Sequence, residues 1–346
     1  MSKKTVVILW IVAAALSLSV VFLHSAQKRV EPKTTKAQPG DKVLPDLSAQ
    51  DVVSITLQEN DKTVTLSKNE DLWRVNEREA YPADVRSING LLRALVDLEV
   101  AQPIAAGPEH NSRFGLNSDE AIQIRLETKD STKTLYVGKT PATRERLALR
   151  SETRFVRLSE VDDEVYVVSG VFARFEVDPA LWLNDEFLIV DQLSGVRTPT
   201  WEVYRPNSSS DFIGNGRSLT QEASQALHNL FRVTRFEDVS ESPAPADALT
   251  VELTTFEGLS YSLRIWTRDE KSSYLRIDVT TRPTSTNEAG EVKNESVLAA
   301  EKAQSAVVSE KLKAQNQFTK VAYIMNNSAL APLLMQEEEV FASPSN

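Results

Sequence analysis

The sequence predicts an α+β fold: two tandem, similar modules, each a mainly antiparallel twisted sheet with one helix packed on one face, following an N-terminal transmembrane helix. Three observations predict it. The chain begins with a long uncharged apolar run, its body alternates apolar and polar residues in short segments split by polar turns, and the same order of elements returns about 130 residues later. The recurrence is plainest in AIQIRLETKDSTKTLYVGKT (Ala121 to Thr140) and ALTVELTTFEGLSYSLRIWT (Ala248 to Thr267). Each alternates, breaks at a turn and alternates again, as a hairpin with one wet face does.

At 346 residues and 41% apolar content, the chain is long enough for two domains with sizeable cores. Absence of cysteine excludes a disulfide framework, thiol catalysis and thiolate-bound metal. The net charge of −10 is uneven. Residues 1 to 45 carry seven Lys/Arg against Glu31 and Asp41, leaving 32 basic and 47 acidic side chains in the remaining 301 residues. A body this acidic repels a phosphate backbone, so nucleic acid is not an expected partner.

Lys3 and Lys4 precede an uncharged run from Thr5 to Leu23 that rises ~28 Å as a helix, enough to span a bilayer. His24 stands where signal cleavage wants a small residue, so residues 1–26 read as a retained membrane anchor. Lys28, Arg29, Lys33 and Lys36 on the far side outnumber Lys3 and Lys4, against the positive-inside trend. The short charged head and long C-terminal body nevertheless have the layout of an uncleaved secretory signal. The expectation is a single-pass protein of the inner (cytoplasmic) membrane with its C-terminal body outside the cytoplasm. Residues 27–46, rich in Pro and Lys, read as a solvated stalk.

The first module is expected at 47–187. Strands are read in DVVSITLQ, TVTLSK and LWRV, then a helix in PADVRSINGLLRALVDLEV, with Asp84 as cap and Val85, Ile88, Leu92, Leu95 and Val96 on its apolar side. Further strands follow at Ala121–Thr128, Thr132–Val137, Leu147–Arg150 and Glu164–Val168. The second module, 188–346, repeats the plan with a strand in TWEVYR and a helix in SLTQEASQALHNLFRVTRFEDV, where Ser218 and Gln221 have capping-box spacing. Ala223, Leu227, Leu230 and Phe231 answer Ile88, Leu92, Leu95 and Val96, and Val251 and Leu253 answer Ile124 and Leu126. An insertion at about 281–318 contains a helix-forming stretch from Glu295 to Gln317, read as a solvated decoration.

The first half resembles the DUF4340 family, a domain of unknown function. The resemblance rests on an aromatic-Gly-Leu turn at Phe114, Gly115 and Leu116, a Gly-x-x-Pro turn at Gly138 and Pro141, and a strand bearing Tyr166; it runs from about Leu47 to Phe187. It implies a membrane-anchored bacterial envelope protein, often encoded beside an ABC-type transporter and a gliding-motility-like component. It carries over no catalytic residues.

No catalytic, cofactor-binding or metal residue is assigned, and no cofactor is expected. His24, His110 and His228 are scattered and form no HExxH, and no GxSxG occurs. GNGRSL (Gly214 to Leu219) lacks the remainder of a phosphate-binding loop. Asp162, Asp163 and Glu164, Asp185 and Glu186, and the acids of MQEEEVF read as solvated turns or tail rather than acid/base pairs. Trp73 and Trp201 fall within strand patterns as core, whereas Trp182 and Trp266 leave a glycan surface open. The expected function is a non-enzymatic, membrane-tethered accessory or scaffold protein of an envelope complex, plausibly an ABC-type transport or gliding-motility-like system. The alternative is an envelope hydrolase or glycan-binding protein.

Overall fold

The computed structural model describes residues 36–141, 153–159, 162–169, 176–185, 190, 192–214, 216–231, 235–282 and 295–342. The expected anchor, the first part of the stalk and the expected strand at Leu147–Arg150 lie outside the described residues. Among the described residues no helix is long and apolar enough to cross a membrane.

The alternating segments form two antiparallel sheets of nine strands. The first contains β1 (Val52–Glu59), β2 (Lys62–Asn69), β3 (Leu72–Val75), β4 (Tyr81–Pro82), β5 (Glu99–Ala105), β6 (Ile122–Thr128), β7 (Thr132–Val137), β8 (Thr153–Arg157) and β9 (Glu164–Ser169). The second contains β10 (Leu193–Arg197), β11 (Glu202–Tyr204), β12 (Ile213–Gly214), β13 (Arg217–Ser218), β14 (Asp238–Ser240), β15 (Leu249–Thr255), β16 (Leu259–Thr267), β17 (Ser272–Thr281) and β18 (Ala322–Asn326). Their orders are β4-β3-β2-β1-β6-β7-β8-β9-β5 and β13-β12-β11-β10-β15-β16-β17-β18-β14. Every strand of the first sheet therefore has its counterpart nine strands later in the chain. A helix follows the fourth strand of each set: α1 (Val85–Val96) after β4 and, numbered after the short α2 (Asn111–Phe114), α3 (Gln221–His228) after β13.

Register confirms the likeness. The β1–β6 ladder slips between Val52 and Ser54, and the β10–β15 ladder slips between Leu193 and Gly195. Such a bulge bends a strand and raises its twist, and both copies place it at the same point. At the end of the following strand, the hydroxyls of Thr128 and Thr255 each accept a hydrogen bond from a turn amide, Ser131 N at 3.0 Å and Leu259 N at 3.1 Å. The fold is α+β with two similar modules.

Packing divides the chain into two compact units: the described residues of Met1–Leu47, Ala94–Ile122 and Thr134–Phe172 form one, and those of Ser48–Arg93, Gln123–Lys133 and Ala173–Asn346 form the other. In the first unit, Ala106, Phe114, Leu116 and Val165 make a buried cluster against which Ile104, Tyr136 and Phe155 pack. Gly115, at φ 66°, ends α2, and the Leu116 amide donates to Asn111 O at 2.9 Å. That turn lies on Gly138, where a Cβ would come within 2.3 Å of Phe114 O. The two turn motifs noted in the sequence are thus one contact, and only glycine allows it.

The stalk differs from expectation in its second half. Instead of running free, it lines edge strand β5: Gly40 N donates to Val100 O (2.8 Å), Val100 N to Asp41 O (2.9 Å) and Val43 N to Leu98 O (2.9 Å). Val43 and Leu44 are buried. An uncovered edge invites pairing with other chains, and this segment covers it.

In the second unit, Ile55, Leu57, Val64, Leu66 and Val75 form the apolar face of β1 to β3, and Val196, Val203, Val251, Leu253, Leu263 and Ile277 do so for the second sheet. Trp73 and Trp201 are core as expected, and Trp182 is buried too. The stripe on α1 is Ile88, Leu91, Leu92 and Leu95; Val85 is 45% exposed. Asp84 caps α1, accepting from Arg86 N at 3.0 Å. Both helices are shorter than expected: α1 ends at Val96 and α3 at His228, and the edge strands β5 (Glu99–Ala105) and β14 (Asp238–Ser240) come next in the chain. The cap of α3 is Thr220, whose hydroxyl accepts from Ala223 N (3.2 Å), and Ser218 belongs to β13. Helix α4 (Glu295–Asn316) fills the insertion, α5 (Asn327–Leu334) follows β18, and α6 (Glu337–Val340) ends the described chain.

Candidate binding face

On the polar side of the second sheet a cavity of about 810 Å³ opens across β10, β11, β15, β16 and β17. Strand alternation builds it: while Val196, Val203 and Leu253 point to the core, Gly195, Arg197, Glu202, Tyr204, Glu252 and Thr254 point the other way. Two cross-strand rows form its floor. In one, Arg197 stands opposite Glu202 and Glu252; in the next, Gly195 stands opposite Tyr204 and Thr254, and Thr254 opposite Ser260, which faces Thr280.

Charge on this floor is paired. The Arg197 guanidinium donates to Glu202 Oε1 at 2.9 Å and to Glu252 Oε2 at 3.4 Å. The hydrogen bond to Glu202, then the charges of Glu202 and Glu252, raise the Arg197 pKa above its ordinary value. Arg205, at the rim, donates Nε to Ser210 O (2.8 Å), Nη1 to Leu193 O (3.2 Å) and Nη2 to Ser208 O. It also lies 5.5 Å from the Phe212 ring and 5.6 Å from that of Phe256, so it braces the rim. Tyr204, by contrast, is 52% exposed.

Several residues singled out in the sequence have structural roles. His110 is exposed beside Glu109, and exposed His228 meets the Phe212 ring edge-on at 5.1 Å; His24 lies outside the described residues. Among the described residues no group of three His, Asp or Glu side chains could hold a metal ion. Of GNGRSL, Gly214 ends β12 and pairs with Arg217 of β13, and Gly216 has φ 74°. The acid tail is no free tail: Gln336 and Glu339 cap α6 reciprocally, Val340 and Phe341 are buried, and Phe341 bridges Leu219 beside β13. Asp185 is exposed, and Glu186 lies outside the described residues.

Asp162 departs from the solvated turn expected of it. Burial raises its pKa against the pull of Arg157, a residue the sequence reading passed over. Arg157 is fully buried and donates to the carbonyls of Asp162 (2.6 Å), Ala106 (2.8 Å) and Gly107 (3.3 Å). Nearby, burial and the Glu164 carboxylate push the Tyr166 phenol up to about 12. The sequence carries no signal for the Arg157 clamp, since a strand-ending Arg reads as solvent-facing.

A second cluster passed over ties the turn after β3 to β14. Arg78 grips Asp238 with both arms, Nε to Oδ1 at 2.6 Å and Nη2 to Oδ2 at 2.8 Å. Beside it Tyr81, Phe236, Phe318 and Tyr323 pack with ring centroids 5.1 to 5.9 Å apart.

Residues 73–242 match the family model of Domain of unknown function (DUF4340). The match starts later than the resemblance read from the sequence and reaches further, through α3 and β14. The matched residues include both partners of the Arg78–Asp238 grip and the β10–β11 half of the cavity floor. No curated protein and no solved structure matches the chain.

Proposed function

We propose that this protein is a non-enzymatic accessory or scaffold subunit of a bacterial envelope complex, tethered in the inner membrane with its body outside the cytoplasm, and that its partner is a membrane complex of the ABC-type transport or gliding-motility-like kind. The envelope setting is what the resemblance read from the sequence implies, and the uncharged Thr5 to Leu23 run, long enough to span a bilayer as a helix, supports the tether. The observation that carries the reading is the cavity floor. Glu202 and Glu252, the two carboxylates flanking it, share a single guanidinium. General acid/base hydrolysis needs two carboxyl groups in contrasting environments, one protonated and one ionised. Here both carboxylates engage the same guanidinium from similarly exposed positions on one sheet face, so their surroundings do not contrast, which suits a surface that binds rather than cleaves.

Photo-crosslinking from positions on α4 and on the second sheet in intact membranes, followed by purification of adducts, tests the reading. Adducts with subunits of a membrane transporter support it. Adducts confined to lipid and to other copies of this chain overturn it.

A further inference from the structure

The two sheets form an internal comparison. Aligned on their shared bulge, Ser54, Ser67 and Glu127 of the first sheet take the places of Gly195, Tyr204 and Thr254 of the second, and Thr56, Thr65 and Arg125 take those of Arg197, Glu202 and Glu252. The backbone is repeated while the polar face is not. What the second face has gained is a floor without a side chain, an exposed aromatic ring beside it, a row of hydroxyls and a charge triad.

We propose that this face binds a short oligosaccharide, with one sugar ring against the Tyr204 phenol and its hydroxyls along the row of Thr254, Ser260 and Thr280. The proposal goes beyond the scaffold reading and does not depend on it. Gly195 lets the neighbouring strands close in beneath the ring: a Cβ there would come within 2.9 Å of Thr254 Oγ1 and 3.3 Å of Val203 O, so the Thr254 side chain takes the place that one at Gly195 would fill. Tyr204 offers an apolar ring face with a polar tip, the combination that suits the C–H face and hydroxyl rim of a sugar. Thr254, Ser260 and Thr280 bring hydroxyls that both donate and accept, as sugar hydroxyls do. Glu202 and Glu252 keep acceptor lone pairs beyond those used by Arg197.

Other ligand classes fit less well. An anion would find Arg282 in the lining, but it would also face Glu202 and Glu252 on the floor, while Arg197 already serves two carboxylates and Arg205 donates to three carbonyls. An apolar molecule would bury these charged and hydroxyl groups without partners. A volume of about 810 Å³ falls within the range of small-molecule sites and holds several sugar rings.

The test is isothermal titration calorimetry and saturation-transfer NMR on the full-length chain, in a detergent without a sugar headgroup, with chitotriose, cellotriose and maltotriose as probes. At least one triose is expected to bind with a Kd of about 0.1–1 mM. Tyr204→Ala, at an exposed position that leaves the core intact, should weaken binding about tenfold or more. Tyr204→Phe keeps the ring and should stay within about threefold, and Ser67→Ala on the first sheet should change nothing. No binding of any triose up to about 10 mM overturns the proposal. So does equal affinity in Tyr204→Ala, or preference for an extended Gly-Ser peptide over every triose. Crosslinks to a membrane complex that survive in Tyr204→Ala separate the fate of this site from that of the scaffold reading.

Discussion

Arg157 offers the sharpest test of how the β8–β9 region is held. Its side chain is fully buried, and three backbone carbonyls, those of Asp162, Ala106 and Gly107, take their hydrogen bonds from it. Arg157→Ala strands these acceptors, and a buried polar group without a partner costs about 1–3 kcal/mol. The guanidinium is itself strained by burial, which holds its pKa below the usual value against the opposing charges of Asp162, Glu109 and Asp163. Relief of that desolvation offsets part of the loss. The net expectation is a destabilisation of about 2–4 kcal/mol, the cost of the stranded carbonyls less that relief. Urea denaturation measures it, with hydrogen exchange of residues 104–107 and 164–168 as the local readout. Arg157→Met keeps the bulk and removes the donors, so it should cost nearly as much as Ala. An Ala variant within about 1 kcal/mol of the parent, or a Met variant indistinguishable from it, refutes the hydrogen-bond clamp.

Three further outcomes follow from the same coordinates. Leu92→Asp and Leu230→Asp each place an unpaired carboxylate in an apolar stripe and should abolish the cooperative unfolding transition of the part that contains them, as seen by circular dichroism. Glu79 shares a hydrogen bond with Glu241, which raises its pKa in the folded state; stability from this pair is therefore full below the ordinary carboxylate pKa and lost as pH rises through the folded one. Glu79→Gln should flatten that part of the Tm-versus-pH curve, and an unchanged slope contradicts the pairing. Burial raises the pKa of Tyr81 and Tyr323, so their contribution is lost as pH climbs past the ordinary phenol value of about 10. In an alkaline absorbance titration Tyr81 and Tyr323, and with them Tyr166, should ionise later than a free phenol, three of the seven tyrosines.

The fold was legible wherever an element carries its own period. Ile124 and Leu126 align with Val251 and Leu253 in the sequence, and the ladders place both pairs opposite matching strands, β1 and β10. Strands β5 and β14 were not legible, because each directly follows a helix and neither alternates: β5 contains Pro103, and β14 has three residues. Their strand character comes from β9 and β18, which supply the hydrogen bonds. In MQEEEVF the three acids are exposed, as read, and what the count of acids hid is that Val340 and Phe341 are buried and that Gln336 and Glu339 form a capping box.

The candidate site was harder to read, since its parts look ordinary one at a time. Arg197 and Glu202 resemble any surface pair, and Tyr204 resembles any strand tyrosine. Their meaning comes from the neighbouring copy. Both sheets form the same bulge, one with Ser54 and the other with Gly195, so the bend does not require glycine. Both sheets also keep apolar residues at matching core positions, Ile55 with Val196 and Leu126 with Leu253. The fold constrains the inner face and leaves the outer one free. At these positions the copies differ on the face that the core does not dictate, Ser67 against Tyr204 and Glu127 against Thr254, so titration of Tyr204→Ala with a triose, and not a stability measurement, is what tests the difference.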